Sequence, residues 1–255
     1  MIGVVAGDIL GSYYEFNTTK DYDFDLFKGD IFTDDTVLTM AIANAILTNT
    51  PYKENIIDFG NRYNEVGYGS AFREWLTGSS LFQPYNSWAN GSAMRVSPIA
   101  YAFETLGEVL SEAKKSAEVT HNHPEGIKGA QAIAMAIFLA RKGSSRDEIK
   151  EAIEKEFDYD LDRTINDIKP TYKFEVSCAL SVPESIICFL ESFDYEDCIR
   201  LAISLGGDAD TMAAMAGGIA EVFYDNIPEK IQQRVVETLP DEFSEIIIKF
   251  NKKYK

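Results

Sequence analysis

Asp208 and Asp210 stand one residue apart in the run Ser204-Leu-Gly-Gly-Asp-Ala-Asp-Thr211, and Asp34 and Asp35 are adjacent in Phe32-Thr-Asp-Asp-Thr36. Each pair has a threonine beside it and leads into an apolar stretch rich in small residues, Met212 to Tyr224 in one case and Val37 to Leu47 in the other. Both stretches read as buried helices, so each acid pair falls at a helix N-terminus. Capping explains one Asp per helix, since a carboxylate there gains roughly 0.3 to 1 kcal/mol from the helix dipole. It does not explain two on each. Like charges about 4 Å apart repel by roughly 4 kcal/mol at an effective dielectric of 20. Two such helix starts facing one another would therefore need a cation. A donor set of carboxylate and hydroxyl oxygens suits Mg²⁺ or Mn²⁺ far better than zinc.

The elements that must bring these acids together are helices. Residues 2–15 carry Gly3, Gly7 and Gly11 at intervals of four, which reads either as a smooth stripe on a helix or as a glycine loop. If the helix continues, Asp8 and Glu15 share one face, and a carboxylate on a buried face is costly unless something pairs with it. Residues 16–31 lack helical period and read as a lid or binding loop, with one exposed strand as the rival reading. Helical period resumes over Ile56–Val66, Ile99–Leu106, Val109–Val119, Ile127–Arg141 and Asp147–Phe157, and later over Tyr195–Leu205, Pro228–Leu239 and Asp241–Lys252. Ser145-Arg-Asp-Glu148 forms a capping box. Ser181-Val-Pro-Glu184 reads as another, opening a helix over Ser185–Phe193. Residues 158–180 are irregular. With no repeat or linker, the expectation is a single all-α domain over residues 1–255.

Other segments carry weaker signals. The glycine-rich stretches Gly67-Tyr-Gly-Ser70 and Trp88-Ala-Asn-Gly-Ser-Ala-Met-Arg-Val-Ser-Pro98 can turn backbone N–H groups toward a phosphate, although surface turns look the same. His121 and His123 are the two histidines of the chain. With no cysteine nearby they do not form a zinc site, and contact with polar groups of a substrate is the better reading than a metal pair.

Composition narrows the function classes. In 255 residues, 45% hydrophobic and 12% aromatic, there is ample material for a core. The formal charge of −17 argues against nonspecific binding to a nucleic-acid backbone. Three cysteines, Cys178, Cys188 and Cys198, fit neither a disulfide framework nor a zinc pattern. No leader or membrane-length apolar window is evident, and a cytoplasmic protein is expected.

Five blocks, in order, resemble the ADP-ribosylglycohydrolases: Gly7-Asp8-x-x-Gly11-x-x-x-Glu15, Phe32-Thr-Asp-Asp-Thr36, Asn90-Gly-Ser-Ala-Met-Arg-Val-Ser-Pro98, Thr120-His121 and Gly206-Gly-Asp-Ala-Asp-Thr211. The resemblance implies an orthogonal helical bundle with a cleft for two divalent cations, Mg²⁺ or Mn²⁺. By matched position, Thr33, Asp34, Asp35 and Asp210 would hold the first cation, and Asp208, Asp210 and Thr211 the second. Gly67, Gly69, Ser70, Asn90, Gly91 and Ser92 would receive a diphosphate, with His121 close to the substrate. Glu15 and Asp35 are the candidates for proton transfer, and Tyr85 or Trp88 could stack on adenine or belong to the core. The activity implied is hydrolysis at ribosyl C1 of an ADP-ribosylated protein or small molecule. A non-catalytic structural or ADP-ribose-binding member of the same fold is the alternative; the presence of all six matched ligand positions and Glu15 speaks for the enzyme.

Overall fold

The structure, a computed structural model, describes residues 1–255. It has fourteen α-helices and no sheet. In chain order they are α1 (Ile2–Phe16), α2 (Asp34–Thr48), α3 (Tyr52–Arg62), α4 (Ser70–Leu76), α5 (Ser97–Ala102), α6 (Leu106–Ala117), α7 (Pro124–Arg141), α8 (Arg146–Phe157), α9 (Ile165–Ile168), α10 (Cys178–Glu191), α11 (Tyr195–Ser204), α12 (Ala209–Tyr224), α13 (Glu229–Thr238) and α14 (Asp241–Tyr254). None is long and apolar enough to cross a membrane.

The central pair is α1 and α12. Met212 to Ala220 are buried on all sides, because alanine and glycine let other backbones close in around the helix. The glycines of α1 do the same from the other side. A Cβ built on Gly7 would sit 2.1 Å from the Ala213 carbonyl oxygen, and one on Gly11 2.5 Å from Asp210 Cα. The stripe is therefore a backbone-to-backbone contact, and the loop reading of residues 2–15 gives way to a helix. Gly3 meets Gly217, Gly7 meets Ala213 and Gly11 meets Asp210, so the two helices run antiparallel, placing Glu15 beside the start of α12.

Residues 17–33 form a loop with neither helix nor strand, fastened by Lys20, whose Nζ donates to Lys169 O at 2.9 Å, Tyr172 O at 2.7 Å and Leu205 O. Gly206 turns the chain from α11 into α12 at φ +67°, a left-handed conformation that glycine adopts without steric cost.

The Ser145 capping box is present, and Thr105 with Glu108 forms a further one at α6. Ser181 does not cap a helix. Helix α10 begins a turn earlier, at Cys178, and carries Pro183 inside it. Ser181 Oγ instead donates to Ser177 O at 2.6 Å, and Glu184 accepts from Arg163 at 2.7 Å rather than reaching back to a cap. Helix α3 also ends at Arg62, short of the expected Val66, and the Gly67–Ser70 stretch leads into the short helix α4. The three cysteines are free and buried.

Candidate functional site

Acids from three helices meet where α12 begins. Asp208 is the residue before its first turn and Asp210 lies within that turn. Asp34 and Asp35 open α2 behind the N-cap Thr33, and Glu15 ends the face of α1 that lies on α12. Carboxylate oxygens of Glu15, Asp208 and Asp210 lie within 4.8 Å of one another, and so do those of Asp8, Asp35 and Asp210. Asp210 is common to both groups. Thr211 Oγ1 donates across to Asp35 Oδ2 at 3.2 Å, which ties the start of α12 to that of α2.

Asp8 is the site residue that sequence reasoning left without a role. It accepts from the backbone N–H of Thr33 at 3.0 Å and of Thr36 at 3.1 Å, and from both hydroxyls, Thr33 Oγ1 at 2.8 Å and Thr36 Oγ1. Asp8 thus caps α2 from α1. Its place on the same face as Glu15 was the available signal; its partners, 25 and 28 residues away, were not legible.

The electrostatics of this cluster suit a bound cation. None of the chain's ion pairs includes Asp8, Glu15, Asp34, Asp35, Asp208 or Asp210. Burial, reinforced by Asp210 and Asp8, pushes Glu15 and Asp34 up to about 8. Burial raises Asp208 to about 6, with hydrogen bonds from Asp210 and Asn90 holding it back. Asp35 and Asp210 are raised well above the usual carboxylate range, both chiefly by burial, Asp35 also by Asp210 and Asp8, and Asp210 also by Asp208 and Asp8. Asp35 Oδ1 is buried without any hydrogen-bond partner. A divalent cation answers both problems, since it neutralises the carboxylates and takes up the idle oxygen. The donor set, oxygen only, is that of a hard ion.

The acids floor a cleft of about 620 Å³, within the range that holds a small ligand. Asp34, Asp35, Asp208, Asp210, Thr211 and Glu15 lie on its surface. Gly67, Gly69 and Ser70 line another part of the wall, as do Asn90, Gly91 and His121. Asn90 also orients the floor, donating from Nδ2 to Asp208 Oδ2 at 2.8 Å. Ser92 is turned away; its hydroxyl donates to Gly126 O at 2.7 Å, and it is buried beneath the turn. Thr33 lies behind the cleft, bonded to Asp8, and opens on a neighbouring cavity that also touches Glu15. His123 is not paired with His121 and instead caps α7 through Nδ1, accepting from Glu125 N at 3.1 Å. Tyr85 and Trp88 both reach the cleft, Trp88 half exposed and Tyr85 partly buried against the edge of the core.

Comparison with known proteins agrees with this geometry. The human ADP-ribosylhydrolase ARH3 is 28% identical over 317 aligned positions, covering 91% of this chain and 87% of that protein. The ADP-ribosylarginine hydrolase Tri1 of Pseudomonas putida (strain GB-1) is 24% identical, over 88% of this chain and 69% of its own length. A solved structure described as an ADP-ribosylglycohydrolase-related protein complex superposes with a TM-score of 0.78 at 23% identity, covering 99% of this chain and 95% of the other. That likeness concerns the fold. The family profile for ADP-ribosylglycohydrolase matches residues 1–254, and with an all-helical fold and an acid-floored cleft behind that match, the chain belongs to the ADP-ribosylglycohydrolase family.

Proposed function

We propose that this protein hydrolyses the bond at ribosyl C1 of ADP-ribosylated substrates, on protein side chains or small molecules, and releases ADP-ribose at a site for two divalent cations, Mg²⁺ or Mn²⁺. The observation that carries the reading is the convergence of unpaired carboxylates from α1, α2 and α12 on the floor of a ligand-sized cleft. The whole chain serves this site as one domain, a reading supported by one contiguous hydrophobic core of 72 buried residues.

Thr33, Asp34, Asp35 and Asp210 would hold one cation, and Asp208, Asp210 and Thr211 the other, with Asp210 shared. Bound cations would supply charge neutralisation, hold ribose hydroxyls and lower the pKa of a coordinated water. The remaining work falls to the chain. Asn90 fixes the Asp208 carboxylate, and Thr211 fixes that of Asp35. Gly67, Gly69, Ser70, Asn90 and Gly91 offer a wall without bulky side chains to a diphosphate, with Ser92 buttressing the turn from below. Tyr85 and Trp88 stand ready to stack on a base.

Proton transfer needs a carboxyl within reach of the reacting atoms and open to the cleft. Glu15 is only half-buried and faces both the cleft and the adjoining cavity, whereas Asp35 is fully buried and committed to Thr211. Glu15 is accordingly the stronger candidate for moving the proton, and Asp35 for holding the cation.

The test is incubation with ADP-ribosylated arginine, serine and nucleic-acid ends, each with Mg²⁺ or Mn²⁺, measuring free ADP-ribose. Release from at least one substrate is expected, with loss on Asp208→Asn. Binding of ADP-ribose without release from any of them would turn the reading toward a non-catalytic member of the fold.

A further inference from the structure

Three backbone carbonyls converge beside the turn that leads to Asp208. Leu205 O follows the last turn of α11, Lys169 O follows α9, and Tyr172 O lies three residues further along the segment that leads to α10. Carbonyls at helix C-termini lack partners inside the helix, and no backbone N–H donates to any of these three. An ammonium carries three protons and no lone pair. Lys20 Nζ donates one to each, at 2.9 Å to Lys169 O, at 2.7 Å to Tyr172 O, and to Leu205 O. Donors and acceptors therefore match one for one.

Two of these carbonyls belong to backbone that positions Asp208. Between Leu205 and Asp208 stand only Gly206 and Gly207, so the turn has no side chains with which to hold itself. It is held from outside. A Cβ built on Gly206 would stand 3.1 Å from Lys20 Cε, and one on Gly207 would stand 2.5 Å from Tyr172 Cε1. Beyond Tyr172, Phe174 and Val176 reach the cleft wall, and Val176 O accepts from Asn90 N at 2.8 Å. Asn90 Nδ2 in turn donates to Asp208 Oδ2. Two routes thus run from the Lys20 ammonium to the Asp208 carboxylate, one through the glycine turn and one through Val176 and Asn90.

Resting on the reading of Asp208 as a cation ligand, we infer that Lys20 is a positioning residue, whose clamp on three carbonyls fixes Asp208 in the place from which it holds the cation. Its charge has the wrong sign to draw a cation to the acids, so its contribution is geometric. The clamp is separate from the docking of its own loop. Tyr22 Oη donates to Asp197 Oδ1 at 2.6 Å and Arg200 Nη1 to Phe24 O at 3.0 Å, so residues 22–24 stay on α11 when Lys20 is lost.

Lys20→Ala removes three carbons and the ammonium, and n-propylammonium supplies them. Lys20 is exposed, which leaves its place open to a dissolved amine. Calorimetric titration with Mn²⁺ at constant ionic strength reads the effect. The Ala variant is expected to bind Mn²⁺ about tenfold more weakly than the wild type. Propylammonium should restore the affinity, whereas tetramethylammonium, of equal charge but without an N–H, should not. Lys20→Met should show the same loss without rescue, because its side chain fills the path of the missing stem. Mn²⁺ affinity unchanged or raised in both variants, as loss of a positive charge alone would give, overturns the inference. Equal rescue by the two organic cations, or failure of both variants to fold, overturns it as well. If only the Ala variant fails to fold, the loss in the Met variant decides. If the wild type binds no Mn²⁺, the reading of Asp208 as a cation ligand fails, whereas a Tm of the Ala variant raised by propylammonium and not by tetramethylammonium still tests the clamp.

Discussion

Asp8 shows how much of this site depends on a residue that need not touch the ligand. Its carboxylate takes donors from both threonines flanking Asp34 and Asp35, so it sets where α2 begins and which way its acids face. Asp8→Asn puts an amide N–H against those donors. Mn²⁺ affinity is expected to fall about 10- to 100-fold, as for other residues that orient metal ligands. Calorimetric titration checks it, and an unchanged affinity would show that α2 holds its position without Asp8. Asp34→Asn or Asp208→Asn should go further, abolishing ADP-ribose release while leaving the helical circular dichroism intact; activity at the wild-type level in either would remove the cations from the chemistry. The acids themselves were legible because their signal is local: two carboxylates and a threonine ahead of an Ala-rich helix. Arg95 was not singled out, since a lone arginine in a motif gives no hint that it will be wholly buried. Ser92 was assigned to the substrate by its place in a block, and only the turn's geometry reveals that its hydroxyl points to α7.

The α1 and α12 pair carries the precision of the site. Gly7→Ala would drive a methyl into the Ala213 carbonyl, backbone on the receiving side, so the helices must part. Overpacking of this kind costs about 1 to 3 kcal/mol or more, and for a chain of this size a Tm lower by about 2 to 4 °C per kcal/mol is expected. Because α12 opens with Asp208 and Asp210, turnover should drop as well, measured at a temperature where the variant remains folded. A variant with wild-type Tm would mean that the two helices can part at this contact without cost. The period-four glycines announced this face, but sequence left helix and loop open because glycine suits both. The start of α10 was misplaced for a related reason. Pro183 behind a serine looks like a first-turn proline, yet Ser177 holds the true start and Pro183 lies a turn and a half inside. The interior proline is tolerated in a helix otherwise buried among its neighbours, which pattern alone does not reveal.

At the scale of the whole molecule, the acid cluster opposes folding as its carboxylates ionise. In the cation-free protein Asp208 is raised to about 6, and Asp34 and Glu15 to about 8, from values near 4 in the unfolded chain. Between those limits the folded state holds protons that the unfolded state has released. Stability must therefore fall as pH rises from about 4 through about 8. On the proposed reading, bound cations would replace the protons and remove that slope, besides stabilising the native state by mass action. Melting curves in EDTA are expected to drop by at least about 5 °C between about pH 5 and about pH 8, and Mn²⁺ should flatten them. Parallel curves with and without Mn²⁺ would sink this account.

The packing of α1 on α12 also orders events during synthesis. Helix α1 leaves the ribosome well before α12, with its glycine stripe and apolar face bare, and its partner is not made until Tyr224 has been added, more than 200 residues later. Contacts this distant in sequence form slowly, and an unpartnered apolar helix is a target for aggregation or chaperone capture in the interval. Nascent chains stalled ahead of Asp210 should accordingly remain protease-sensitive at α1 and become resistant once α12 has emerged. Early protection of α1 would mean that another segment shelters it first.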